Sequence, residues 1–130
     1  MLLIARELTA VTCASQPPSE DELLAIRHTL AQRVRAHLER EAVLVLAPLN
    51  TSPDPTHQAL ARAYSEGLLT LRLAGSAHYA RWSIPAALAD MPRYRHSARA
   101  LLLAHAERIA WEEAEVLPAV AAMLLRRAAA

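Results

Sequence analysis

The stretch 102-LLAHAERIAWEEAEVLPAV-120 decides the fold. Apolar residues recur in it every three or four positions, which is the spacing of one face of an α-helix. A helix turns by about 100° per residue, so Glu112 falls on the apolar face and its neighbour Glu113 points outward. A carboxylate on a buried face is costly unless a cation accompanies it. The sequence therefore predicts a positive partner for Glu112 inside a helical core.

The whole chain has the size and composition of one compact domain. It has 130 residues, of which 54% are hydrophobic, enough to form a core. The net charge of +1 gives no general attraction to nucleic acid or anionic lipid, so we expect neither as a partner. All basic residues are arginines, which indicates a bacterial coding bias. Cys13 is the only cysteine, so no intramolecular disulfide can form, and this favours a cytoplasmic location.

Capping signals mark the start of two long helices. Ser19 and Glu22 have the spacing of a capping box and predict a helix over 20–47, ended by the proline that follows. Asp54 is a good N-cap and is followed directly by a proline, which is favoured at the first helical position. A second helix is therefore predicted over 55–82.

A third long helix completes the predicted bundle. Its apolar periodicity runs over 93–126, and Pro118 should kink its last turns. The segment 83–92 is predicted as a break or a short helical turn. We predict an all-α, up-down helical bundle domain over 19–130, preceded by a segment 1–18 that is compatible with a short helix or a strand. The fourth helix position is filled by that segment or by a second subunit.

The apolar stripes of the three helices contain polar residues that become the candidate functional residues. The predicted inward stripes are Leu23, Ile26, Leu30, Val34, Leu44 and Val45, then Leu60, Tyr64, Gly67, Leu71 and Ala74, then Ala98, Leu101, Leu102, Ile109, Val116, Val120 and Met123. The polar side chains that share these stripes are His37, Glu41, His78, His105 and Glu112, with Arg108 at the edge. Imidazole and carboxylate groups on facing helices can hold a metal ion.

Two segments resemble motifs of hemerythrin-like domains. The segment HLEREAVLVLAPL (37–49) resembles the family's second-helix motif, which has a His, a Glu four residues later and a proline. The segment RIAWEEAEVLPAV (108–120) resembles its last-helix motif, and the two segments also resemble each other. The resemblance covers about residues 20–125. It implies a four-helix bundle that binds non-heme iron, or another divalent metal, for oxygen binding, storage or sensing.

The resemblance carries over to some of the candidate residues only. His37, Glu41 and Glu112 stand at positions that match the motifs. Arg108 stands where the last-helix motif has its histidine, and no histidine occurs in 65–69, where the motif of the second long helix would have one. His78 and His105 are also predicted to face inward, but they do not stand at ligand positions of the motifs.

Three functional hypotheses follow from this pattern. The first is a metal site built from His37, Glu41 and Glu112, with His78 or His105 filling in, in a protein that binds a small ligand such as oxygen. The second is a metal-free interaction or dimerisation module in which Arg108 pairs with Glu112 or Glu41. The third, ranked last, is an enzyme that uses Glu41 or Glu112 as a base. In either of the first two cases we expect a homodimer.

Overall fold

The computed structural model of the chain describes residues 15–130, so Cys13 and most of the predicted N-terminal segment lie outside the described residues. Within this range the chain is all-α and contains no strand, which confirms the predicted fold class. The elements are α1 (Glu20–Glu41), a first π-helical turn (Ala42–Leu46), α2 (Ala47–Thr51), α3 (Pro55–Arg81), α4 (Ile84–Ala89), α5 (Met91–Trp111), a second π-helical turn (Glu112–Val116) and α6 (Leu117–Ala129). No helix in residues 15–130 combines the length and apolar character needed to cross a membrane.

The predicted helix starts are confirmed by their caps. Ser19 Oγ accepts the backbone N–H of Glu22 at 3.2 Å, and the Glu22 carboxylate accepts the N–H of Ser19 at 2.9 Å, which completes the capping box of α1. Asp54 accepts the N–H of Thr56 at 2.8 Å at the start of α3. The segment 83–92 holds the short helix α4, which Ser83 caps.

The predicted end of the first helix at residue 47 is wrong, because the chain continues helically to Thr51. Proline lacks an N–H, and in a regular α-helix its ring clashes with the carbonyl four residues earlier. A π-helical turn precedes Pro48, with the N–H of Ala47 bonded to the carbonyl of Ala42, five residues back. The wider turn accommodates the proline without ending the helix. Pro118 has the same arrangement after the second π turn.

Two residues of the predicted apolar stripes are exposed. Leu44 lies inside the first π turn and is 58% exposed, because the wider turn rotates the following residues and leaves Val45 inward. Ala74 is also exposed, and Gly75 lines the interior instead. The stripe still faces inward farther along α3, because His78, its next residue, is buried.

The core consists of two main clusters that lie at different parts of the bundle. One joins the π turns, α2, α3 and α6, and its buried members are Val45, Leu49, Ala61, Tyr64, Val116, Val120 and Met123. The other joins α1, α4 and α5 around Leu23, Trp82, Ala87, Met91 and Tyr94. Trp111 packs against the first cluster. Several predicted polar candidates lie beside this first cluster.

Candidate functional site

The structure brings three of the five candidate residues together. His37, Glu41 and Glu112 each offer a ligand atom, and these atoms all lie within 4.8 Å of one another. His37 Nε2 lies 2.9 Å from Glu41 Oε1, but this buried ring nitrogen has no aligned hydrogen bond. Glu112 is buried at 6% exposure. One imidazole and two carboxylates from two helical segments thus meet in the interior.

The two carboxylates occupy similar places in their helices, one residue apart in register. Glu41 is the last residue of α1 and directly precedes the first π turn, and Glu112 is the first residue of the second π turn. Each acid follows its basic neighbour, His37 or Arg108, by four residues, so both pairs share a helix face. The similarity of the two segments in sequence is therefore also a similarity in local structure.

Arg108 pairs with Glu112, one of the two partners that the second hypothesis gives it. Its Nε donates to Glu112 Oε1 at 2.6 Å, and both side chains are buried, at 9% and 8% exposure. The guanidinium carbon lies 4.3 Å from the centroid of the Tyr64 ring and 4.9 Å from that of Trp111, so two aromatic rings surround the cation. The sequence offers these rings on α3 and α5.

Gly67 makes room for Arg108. A Cβ built at Gly67 would lie 2.5 Å from Arg108 Nη1, closer than side-chain atoms tolerate. A larger residue there would force Nη1 to shift. Gly67 on α3 therefore leaves the space that Arg108 on α5 occupies.

Glu41 has a second partner across the bundle. The hydroxyl of Tyr64 donates to Glu41 Oε2 in a short hydrogen bond. Burial raises the pKa of Tyr64 above its usual value, and the neighbouring Glu41 raises it further, so Tyr64 holds its proton as the donor. Tyr64 therefore contacts both Glu41 and the guanidinium of Arg108.

The cluster holds more negative than positive charge when both acids are ionised. Burial raises the pKa of Glu112, the nearby Glu41 raises it further, and the hydrogen bond from Arg108 opposes both. One guanidinium is present for two carboxylates. Glu112 therefore takes up a proton more readily than an exposed acid does, because protonation removes the uncompensated charge.

The structure places the other two candidate histidines elsewhere. His78 is buried beside Tyr94, and its Nδ1 lies 2.8 Å from Ser97 Oγ, so this side chain joins α3 to α5 outside the three-residue group. His105 is half-buried, its Nδ1 has no hydrogen-bond partner, and burial lowers its pKa below the usual 6.5. His105 lines the same cavity as the three-residue group without belonging to it.

Sequence reasoning identified the acids and Arg108 but did not assign roles to Tyr64 and Gly67. Both lie on the predicted inward stripe of the second long helix. The available signal was the chain's small number of glycines, since only two occur in the sequence and one lies on an inward helix face.

A cavity of about 790 Å³ extends from the cluster between α1, α3 and α5. Its walls are largely apolar, and Leu30, Val34, Leu68, Leu71 and Leu101 are among the side chains that form them. His37, Glu41, His105, Arg108 and Glu112 also line the cavity. Exposed residues such as Arg72 and Ser76 line it as well, so the cavity opens to solvent.

Comparison with known proteins adds no relative, because no family model, curated protein or solved structure matches this chain. The geometry of the site is therefore the basis for a functional conclusion.

Proposed function

We propose that this chain is a hemerythrin-like helical bundle in which Arg108 takes the place of a metal ion, and that it acts as a metal-free binding module. The observation that carries this proposal is the fitted environment of Arg108. Its guanidinium bonds Glu112 at 2.6 Å, lies over the rings of Tyr64 and Trp111 and occupies space that a Cβ at position 67 would take. These contacts hold the cation in the place where a metal ion would otherwise lie.

The donor set argues against a two-metal centre. In residues 15–130, three side chains around the cluster offer ligand atoms to a common ion. Even an open single-metal site uses three protein ligands. Two ions would have to share these three side chains, so each ion would have too few ligands. The Arg108 guanidinium is also bonded to Glu112, one of the three side chains, and its charge repels a metal cation there.

A variant of Arg108 tests the proposal. Arg108→His restores an imidazole at the motif position and removes the fixed cation, so it should bind Mn²⁺, Fe²⁺ or Zn²⁺ at least about tenfold more tightly than the unaltered protein. Protein purified without a histidine tag should contain metal well below one ion per chain by elemental analysis. A stoichiometric ion in the unaltered protein, or no gain in the Arg108→His variant, would contradict the proposal.

A second candidate function is the binding of one metal ion by His37, Glu41 and Glu112. It is favoured by the distance of 4.8 Å or less between their ligand atoms and by the buried, unbonded His37 Nε2. One nitrogen and two carboxylate ligands suit iron, manganese or zinc, and an open coordination position would admit a small ligand such as oxygen. Stoichiometric metal in the unaltered protein would establish this candidate, and Glu41→Gln should then lower the metal content.

We also propose an up-down arrangement of the long helices, a bacterial cytoplasmic location and a homodimer. The dimer is supported by exposed leucines on α3, where Leu69 is 58% and Leu73 is 62% exposed, because large apolar side chains at this spacing favour helix pairing. Light scattering should give the mass of two chains, and Leu69→Gln with Leu73→Gln should give the mass of one. A monomeric unaltered protein would contradict the dimer.

A further inference from the structure

A second cavity, of about 550 Å³, lies between the end of α3 and the start of α5. The side chains that line it are Arg81, Trp82, Pro92, Arg93, His96 and Ser97. Its volume falls within the range of about 300–1,000 Å³ that is usual for small-molecule sites. It shares no lining residue with the larger cavity or with the Arg108 cluster, so its chemistry is separate from that of the site described above.

Contacts with the core hold the walls of this second cavity in place. Trp82 is 7% exposed, and the centroid of its ring lies 5.8 Å from that of Tyr94 on α5. Ser97 Oγ lies 2.8 Å from Nδ1 of the buried His78, so a hydrogen bond joins α3 to α5 beside the cavity. The walls therefore belong to the packed fold, and the cavity is formed before a ligand binds.

The polar side chains of the second cavity are within reach of a ligand. Arg81, Arg93 and His96 are all exposed, and the side chain of Arg93 is 79% exposed. Arg93 and His96 are three residues apart and share a face of α5, and Arg81 lines the cavity from the end of α3. No carboxylate of residues 15–130 lines this cavity, whereas three glutamates line the larger one. The side chains offered to a ligand are therefore hydrogen-bond donors, and two of them carry a permanent positive charge.

The surrounding sequence concentrates positive charge in the same part of the chain. Residues 81–99 contain four of the fourteen arginines but only one of the thirteen acids, Asp90. Asp90 accepts the backbone N–H of Arg93 at 3.3 Å, and its other carboxylate oxygen lies 3.6 Å from Arg93 Nε. One carboxylate for four guanidinium groups leaves this segment with a positive net charge, which attracts anions.

We propose that the second cavity binds a small organic phosphate, which contacts Arg81, Arg93 and His96 through its phosphate group and packs its organic part against Trp82 and Pro92. Guanidinium groups match the geometry of phosphate oxygens and donate paired hydrogen bonds to them. A phosphate monoester has three terminal oxygens and up to about two negative charges, so one group can contact all three side chains, whereas a carboxylate has only two oxygens. The proposal does not depend on whether the Arg108 cluster binds a metal.

The two tryptophans of the chain provide the readout. A ¹H–¹⁵N NMR spectrum contains one indole N–H signal from Trp82, which lines the second cavity, and one from Trp111, which packs against the other core cluster. At low salt, phenyl phosphate should shift the Trp82 signal saturably and leave the Trp111 signal unchanged. Benzoate should bind at least about tenfold more weakly, because it offers fewer oxygens and less charge. No saturable shift at Trp82, equal binding of benzoate, or an equal shift at Trp111 would overturn the proposal.

Exposed arginines provide a removal variant and its matched control. Arg81→Gln with Arg93→Gln removes both guanidinium groups from the cavity, and the fold should tolerate this because both side chains are exposed. Arg126→Gln with Arg127→Gln removes the same charge from exposed positions on α6 that line neither cavity. The first double variant should bind phenyl phosphate at least about tenfold more weakly, and the second should bind it as the unaltered protein does. Equal losses in both would show that net charge alone attracts the ligand and would contradict the site.

Uridine monophosphate and the single-stranded RNA octauridylate distinguish two sources of the phosphate group. A surface that binds nucleic acid contacts several phosphates, and its affinity falls steeply with salt. A cavity that holds one phosphate gains little from the additional phosphates of the RNA, so the two affinities should agree within about tenfold. A larger preference for the RNA would overturn the assignment to a small molecule. Metal analysis of the Arg108 cluster is a separate measurement, so a failure here is distinguishable from a failure of the proposed function.

Discussion

Arg108 and Gly67 show how a single small residue determines the chemistry of this site. The guanidinium requires space on α3, two aromatic neighbours and an acid, and the chain supplies all of them around one side chain. The sequence alone indicated the acid and the arginine, since both fall on or beside an apolar stripe. It did not indicate the role of Gly67, because the contact joins residues on different helices and depends on their relative rotation.

The two glycines of the chain provide a matched stability test at this scale. Alanine is favoured over glycine within a helix by about 1 kcal/mol. Gly75→Ala should gain about that amount, because its Cβ meets no atom within 4 Å. Gly67→Ala should gain less, because its Cβ would force Nη1 of the buried Arg108 side chain to shift. Urea unfolding measures both changes, and equal gains would show that Arg108 does not depend on Gly67.

At the scale of helices, N-cap residues predicted the helix starts correctly, whereas a proline predicted a helix end wrongly. Ser19 and Asp54 marked helix starts correctly because an N-cap acts through a local contact with the next turn. Pro48 predicts a helix end, but the structure has a π turn before it and the helix continues to Thr51. A proline excludes a regular α-helical hydrogen bond but does not specify whether the helix ends or widens, since tertiary packing determines that outcome.

The contact between α3 and α5 at His78 should make stability depend on pH. Burial lowers the pKa of His78 below 6.5, and the positive charge of Arg27 lowers it further. Between that lowered value and 6.5 the unfolded chain binds more protons than the folded one, so stability present at neutral pH is lost as the pH falls through this window. The loss is at most about 1.4 kcal/mol per pH unit.

Variants at two histidines isolate this effect. The stability difference between the unaltered protein and His78→Gln should shrink as the pH falls from about 7.5 to about 5, since only the unaltered protein carries the titrating group. His28 is exposed, so His28→Gln should follow the unaltered protein over the same range. Urea unfolding at several pH values provides the measurement, and a constant difference for His78→Gln would contradict the assignment.

At the scale of the whole molecule, the all-α class could be predicted, because it follows from helical periodicity in long segments. Periodicity also placed His37, Glu41 and Glu112 on inward faces, and the family motifs grouped these three, which do lie together. The position of His78 away from this group could not be predicted. Periodicity shows which side of a helix a residue faces, but not which residues of the neighbouring helices lie level with it. The cavity between α1, α3 and α5 also could not be predicted from the sequence, because its volume depends on how three helices pack together.

We propose that the positive charge at the centre of this bundle is the Arg108 guanidinium and not a metal ion. X-ray diffraction from crystals grown with excess Mn²⁺, recorded to reveal anomalous scattering, tests this most directly. We predict no manganese peak among His37, Glu41 and Glu112, and the Arg108 guanidinium bonded to Glu112 between its two rings. A strong peak bridging Glu41 and Glu112, with Arg108 displaced toward the cavity, would contradict the account.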